Sequence, residues 1–186
     1  MSRNLLRAAA AAFVLAGSLA VPMSPVSAYD GQQGNDADPA RLAAVRNATA
    51  EFRDFAASQQ AGFTALVTNQ TTGESCISNG SAGAMGQHWA NGALVGDGLI
   101  QQQRPEVLLY EPQADGSKVL LGVEYVVIAS DWLAKHDGPP VLFNTEFDLI
   151  TTNPFRLPPF YALHAWAWEA NPSGAFSGWN PNVTCP

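Results

Sequence analysis

The stretch from Val119 to Ile128 constrains the fold more than any other part of this chain, because it is apolar on both faces of a strand. Successive strand residues point to opposite sides. One side carries Val119, Leu121, Val123, Tyr125 and Val127, and the other carries Leu120, Gly122, Val126 and Ile128 around a single carboxylate, Glu124. Such a strand either lies inside a sheet that is covered on both sides or lines a closed pocket.

Three further segments have recognisable patterns. A second apolar run, Val107 to Glu111, precedes the first, and Ala114-Asp115-Gly116 between them indicates a β-hairpin. From Pro39, apolar residues recur at helical spacing and predict an amphipathic helix of about 20 residues that ends near Gly62. The alternation from Phe160 to Trp168 favours a strand, although its alanines also tolerate a helix.

Loops are expected between these elements. Residues 69–86 are rich in Asn, Thr, Ser and Gly and predict a glycine-rich loop, and residues 132–159 predict a long irregular connection. The resulting fold class is α+β, with an N-terminal helix packed on a curved antiparallel sheet or partial barrel. We expect residues 39–186 to form this single domain.

The first 28 residues have the layout of a secretory signal peptide. Arg3 and Arg7 precede an uncharged apolar run, Ala8 to Val21, and small residues end the segment at Ala28, after which cleavage is expected. The apolar run is short of the ~18 residues that a membrane span needs, so no span is expected in the mature chain. The sequence therefore predicts a secreted protein with a flexible polar leader, residues 29–38.

The chain has two cysteines, Cys76 and Cys185. In an oxidising compartment an even number of cysteines favours a disulfide, which would tie the C-terminal tail to the first third of the domain. The alternative is a pair of metal ligands, which the lack of CxxC spacing disfavours.

Charge and motifs exclude several function classes. The formal net charge is −7, and removal of two arginines with the signal peptide leaves a more acidic chain, so nucleic acid is not an expected partner. No phosphate loop, dinucleotide fingerprint or GxSxG elbow is present, which argues against a nucleotide cofactor and a serine hydrolase.

Three polar residues stand in apolar or glycine-rich surroundings: His88 in "MGQHWAN", Glu124 in "LLGVEYVVI" and His164 in "FYALHAWAW". Burial of an isolated carboxylate costs several kcal/mol unless it is paired, metal-bound or protonated. A sheet could bring the three together, with the glycine-rich loop delivering His88. Two imidazoles and a carboxylate suffice for a divalent metal, either zinc with an open fourth position or non-haem iron.

Aromatic residues accompany these positions in the sequence. Trp89, Tyr125, Trp166 and Trp168 would wall a dry pocket, with indole N–H or phenol groups that support the ligands. Such a pocket could also hold a small apolar ligand without metal. The alternative for the aromatic residues is core packing.

Other interpretations of the polar residues remain open. A histidine and Glu124 could form a metal-free acid–base pair, or His88, Glu124 and His164 could form a purely structural network. Glu124 could instead pair with Arg104 or Arg156. Three functions follow: a secreted metal-binding protein, with or without enzymatic activity; a metal-free binding module for a small apolar ligand; or an extracellular or envelope interaction protein without catalysis.

The segments "GAMGQHWAN", "RPEVLLYEP", "GVEYVV" and "FYALHAWAWEANPSGAF" together resemble an uncharacterised family of exported bacterial proteins, over residues 41 to 185. The shared motifs are GAMGxH, LxYEP, VEY and LHAWxWxxNPxGxF. Trp89 stands where the family pattern leads us to expect tyrosine. The resemblance implies export and brings no activity with it.

Overall fold

The structure is a computed structural model that describes residues 39–186, so the expected signal peptide (residues 1–28) and leader (residues 29–38) lie outside the described residues. The helices are α1 (Pro39–Thr49), a 3-10 turn (Ala50–Arg53), α2 (Phe55–Gln60), a second 3-10 turn (Gly80–Ala82), α3 (Gly92–Val95) and α4 (Ala129–Leu133). The strands are β1 (Ala65–Leu66), β2 (Cys76–Ser78), β3 (Ala84–Ala90), β4 (Val107–Pro112), β5 (Lys118–Ile128), β6 (Val141–Leu142), β7 (Thr145–Glu146), β8 (Asp148–Ile150) and β9 (Phe160–Ala165). None of the described helices is long and apolar enough to cross a membrane.

An antiparallel sheet organises these elements around β5. Its strand order is β1-β3-β4-β5-β9-β8, and β2 pairs with β3 as a seventh strand, while β6 and β7 form a separate hairpin. The predicted hairpin of β4 and β5 is confirmed, as is β9 as a strand. The sheet is curved and does not close, so the predicted α+β class with a curved antiparallel sheet is confirmed.

The two faces of the sheet bury different sets of side chains, as the apolar pattern of β5 requires. The helix-covered face packs the larger cluster, which includes Val45 and Phe63 with strand residues such as Tyr110 and Tyr125. The opposite face, here called the site face, carries a smaller cluster: Ala84, Val107, Leu109, Leu121, Val126, Phe160, Ala162, Trp166 and Val183. A bulge on β5 separates the pairs Leu109–Gly122 and Tyr110–Leu120, so side-chain alternation shifts by one residue there.

The N-terminal helix lies where the sequence predicts it but is divided into α1, a 3-10 turn and α2. Asp54 has extended backbone angles (φ −83°, ψ 110°), and its carboxylate accepts the Ala56 N–H at 2.9 Å. It therefore caps a new helix, because an extended N-cap residue interrupts the preceding one. Periodic spacing continued across this break, which is why the pattern predicted one helix of about 20 residues.

The predicted glycine-rich loop, residues 69–86, is wrong in two places, because residues 76–78 form β2 and residues 84–86 begin β3 inside the sheet. Gly86 has a φ of +79°, and a Cβ at this position would lie 2.6 Å from the Tyr110 carbonyl oxygen. Glycine is thus required by a close strand approach rather than by a loop. Composition could not separate these two uses of glycine.

The C-terminal segment is tied to the sheet at several points. Cys76 and Cys185 form the predicted disulfide, with a Cα–Cα distance of 5.7 Å. Ala84 and Asn180 form a β-bridge, and the Thr184 N–H donates to the Glu111 carboxylate at 2.9 Å. Because Val183 belongs to the smaller cluster, this segment covers part of the site face.

Gly122 permits a close approach between β5 and the end of β9, so we expect Gly122→Ala to destabilise the domain. A Cβ there would lie 2.5 Å from the Ala165 carbonyl oxygen and 3.1 Å from the Trp166 Cα. Since both atoms are backbone, relief requires strand movement, and we expect a loss of about 2–4 kcal/mol. Urea unfolding measures it, with Gly92→Ala as the control because nothing lies within 4 Å of that position. Equal stabilities of the two variants would contradict this packing.

Candidate metal centre

Three strands contribute one polar side chain each to the site face. His88 lies on β3, Glu124 on β5 and His164 on β9. Glu124 and His164 are direct partners in the β5–β9 ladder. His88 pairs with Leu109, which pairs in turn with Gly122, two residues before Glu124. The register therefore places all three side chains on one face.

The three side chains converge to within hydrogen-bond or near hydrogen-bond distance. His88 Nε2 lies 3.4 Å from His164 Nε2 and 3.7 Å from Glu124 Oε2. His164 Nε2 lies 3.8 Å from Glu124 Oε1. In a flat sheet β3 and β9 would be three strand spacings, about 14 Å, apart. The sheet must therefore curl toward the site face, which brings the first and last of these strands together over β4 and β5.

Burial controls the charge state of this group. His88, Glu124 and His164 are 5, 8 and 8% exposed. Desolvation raises the pKa of Glu124 to about 8. It lowers the pKa of His88 to about 4, with the Gly86 backbone acting weakly in the opposite direction, and lowers that of His164 to about 3 with a further contribution from His88.

The contacts to Glu124 are therefore not ordinary ion pairs, although their distances fall within ion-pair range. At neutral pH these pKa values leave both imidazoles and the carboxyl uncharged. Among residues 39–186, the imidazoles are the sole basic groups that lie within 4 Å of Glu124, so neither Arg104 nor Arg156 pairs with it. In the same part of the chain, His88 Nδ1 is the one buried side-chain nitrogen or oxygen that lacks a hydrogen-bond partner of good geometry.

The distances match those of three ligands around one ion. A metal at about 2.1 Å from each of three ligands in tetrahedral arrangement separates the ligand atoms by about 3.4 Å. The observed separations of 3.4, 3.7 and 3.8 Å differ from this value by a few tenths of an ångström. The buried His88, Glu124 and His164 group could thus hold a metal ion. Neutral imidazoles present the lone pairs that metal binding needs.

The four aromatic residues expected around the site are divided between the two faces. Trp166 lies on the site face, and its indole stacks beside the His164 ring with centroids 6.1 Å apart. Trp89, Tyr125 and Trp168 pack in the cluster under the helices. Strand alternation explains the placement of Trp89 and Tyr125, because each directly follows a site residue in the sequence.

The polar atoms of these aromatic side chains bond elsewhere. The Tyr125 hydroxyl donates to the Gln102 carbonyl, and the Trp166 and Trp168 indoles donate to the Ser177 carbonyl and the Thr49 hydroxyl. The Trp89 indole donates to the Gln87 side chain. Of the four aromatic residues, Trp166 is therefore the one that borders the site, where it provides an apolar ring surface next to His164.

A second buried carboxylate directly precedes β4 and contacts β5, and the sequence patterns did not single it out. Glu106 is 2% exposed, and its Oε2 accepts the Val126 N–H at 2.9 Å. Desolvation raises its pKa to about 8, with smaller contributions from the charges of Asp97 and Glu124. The sequence signal that could have indicated its burial is the position of an acidic residue between Pro105 and the apolar first residues of β4.

Comparisons of this chain with family models, with curated proteins and with solved structures found no match. The geometry of the site is therefore the basis for assigning a function.

The raised pKa values predict an unusual pH dependence of stability for the metal-free domain. Between pH 7 and 8 the unfolded chain has already lost the protons of Glu106 and Glu124, whereas the folded domain still holds part of them. The folded state binds more protons, so stability falls as pH rises, by about 1 kcal/mol per carboxyl over this interval. The imidazoles contribute little here because their pKa values lie below this range in both states. Urea unfolding with chelator present measures the slope.

Matched variants assign this slope to the two carboxyls. Glu106→Gln and Glu124→Gln should each remove about half of it. Glu146→Gln, at an exposed carboxylate on β7, should leave it unchanged. A wild-type stability that is constant or rises between pH 7 and 8 would contradict the assignment.

Proposed function

We propose that this protein is an exported metal-binding protein in which His88, Glu124 and His164 bind one divalent cation. The observation that carries the proposal is the convergence of two Nε2 atoms and a carboxylate to 3.4–3.8 Å in a buried group. The expected signal peptide supports export, and a disulfide is consistent with an oxidising compartment.

The ligand set favours a metal-dependent enzyme over a purely structural site. Structural zinc sites are generally closed by four protein ligands, whereas three ligands leave a position for water or substrate. Zinc and non-haem iron both accept two histidines and one carboxylate. Since the three side chains are 5–8% exposed, a reacting molecule would have to be small.

Energetics also favour a ligand at this position. The metal-free domain buries two imidazoles and two carboxyls without a described lysine or arginine to pair with them. Burial of polar groups with incomplete hydrogen bonding costs free energy. A cation that binds the imidazoles and Glu124 would offset this cost.

Metal analysis of the purified exported chain tests the proposal. We expect close to one equivalent of zinc or iron, and a rise in Tm when metal is restored after chelation, because an ion that binds the folded state stabilises it. His88→Ala and His164→Ala should each weaken binding by at least about 100-fold, since each removes a ligand.

His136 supplies the matched control. It is exposed and stacks on Trp132 with ring centroids 3.7 Å apart, so His136→Ala should retain full metal binding. Circular dichroism of each metal-free variant checks that the fold persists. Wild-type protein with no bound metal and no change in Tm on addition of zinc or ferrous iron would refute the proposal.

A second candidate function is a binding module for a small apolar ligand. A surface pocket of about 420 Å³ is lined by the apolar residues Leu42, Trp166, Trp168 and Pro172 and by the polar residues Arg46, Glu169 and Asn171. This volume lies in the range of small-molecule sites. The pocket does not include His88, Glu124 or His164, so binding there would be independent of the metal.

Tryptophan emission tests this second function. A small apolar ligand such as benzyl alcohol should change the emission of the wild-type protein, because two tryptophans line the pocket. Ala175 also lines the pocket, so Ala175→Trp should fill the space and abolish ligand binding, measured by equilibrium dialysis. No response across a panel of such ligands, or binding unaffected by the substitution, would refute it.

A further inference from the structure

Glu106 is a buried carboxylate that is not one of the three proposed metal ligands. It is 2% exposed, and no ion pair to it is found among residues 39–186. The metal-binding group of three residues does not include it. Carboxylates are rarely buried so fully without a cation, so its burial against β5 requires a reason.

Its position places it next to the strand segment that holds Glu124. Glu106 directly precedes Val107, the ladder partner of Glu124. Its Oε2 accepts the N–H of Val126, two residues beyond Glu124 on β5. Because β4 begins at Val107, the Glu106 side chain supplies an acceptor to β5 at the point where the ladder between the two strands ends.

A buried divalent cation needs more negative charge than its ligands supply. With two neutral imidazoles and one carboxylate, the cation and its ligands would carry a net charge of +1. An uncompensated charge in a desolvated site is costly, and a second carboxylate nearby would neutralise it. Desolvation is the main cause of the raised pKa of Glu106, and the charge of Glu124 makes a small further contribution across the Glu106–Val126 contact.

We propose that Glu106 is a positioning residue of the metal centre: its carboxylate holds β5 through the Val126 N–H and provides the second negative charge that balances the bound cation. This inference rests on the proposed metal-binding function. If the role of Glu106 were purely structural, a neutral hydrogen-bond acceptor at this position would support metal binding equally well.

Two substitutions separate these roles. Glu106→Gln keeps an oxygen acceptor at the same distance and removes the charge. Glu106→Asp keeps the charge and shortens the reach to the Val126 N–H, which the glutamate contacts at 2.9 Å. A structural role predicts that Gln preserves metal binding better than Asp, whereas a counter-charge predicts the reverse order.

The experiment measures zinc affinity of the full exported chain by competition with a chromophoric chelator at fixed pH. We expect Glu106→Gln to lower the affinity at least about 10-fold, in the range found for residues that support metal ligands. Glu106→Asp should lower it less, and the exposed control Glu146→Gln should not change it. Thermal unfolding without metal shows whether each variant folds.

Proton release gives a readout that a structural role would not move. At pH 7, calorimetry in two buffers of different ionisation enthalpy should detect fewer protons released on zinc binding by Glu106→Gln than by wild type. Equal affinity and equal proton release in both proteins would overturn the proposal for Glu106 alone. Failure of the wild-type protein to bind zinc or ferrous iron would instead refute the metal site itself.

Discussion

Glu124 lies in the middle of β5, a strand that is paired along both edges and covered on both faces. A carboxyl in such a position must be neutral, paired or bound to a cation, because an isolated charge there is too costly. The structure surrounds it with two imidazoles and with no described lysine or arginine. The candidate metal site follows from that one placement, since both imidazoles are placed by their distances to Glu124.

The backbone around the site is arranged to permit this convergence. Gly86 and Gly122 allow strands to approach more closely than a Cβ permits, and the bulge near Leu121 adjusts which β5 residues face the site. The helices cover the opposite face and leave the site face to the C-terminal segment and Trp166. Strand curvature is therefore part of the site, because imidazoles from β3 and β9 meet only across a curled sheet.

Burial raises the pKa values of the two carboxyls and lowers those of the two imidazoles. These shifts lower the stability of the metal-free fold. Natural domains retain such costs mainly where function requires them. The separations of His88, Glu124 and His164 approach those of a coordination shell, so this group could hold a cation. Binding would then need little rearrangement of the strands.

Local patterns in the sequence determined much of this protein: the β4–β5 hairpin, the strand β9, the position of the first helices, the pair Cys76–Cys185 and the three polar residues in unsuitable surroundings. These are properties of short segments, and periodicity or residue type reports them directly. Glycine content could not predict β3, because a glycine required by a neighbouring carbonyl looks the same in sequence as one required by a loop.

Only the tertiary structure decided which side chains meet. It brought His88 to Glu124 across β4, turned Trp89 and Tyr125 to the helix-covered face, and buried Glu106 at the start of β4. The physical reason is that register and sheet curvature depend on contacts between residues far apart in the chain. The sequence alone shows that His88, Glu124 and His164 are polar residues in apolar or glycine-rich segments, and the folded sheet sets the distances between them.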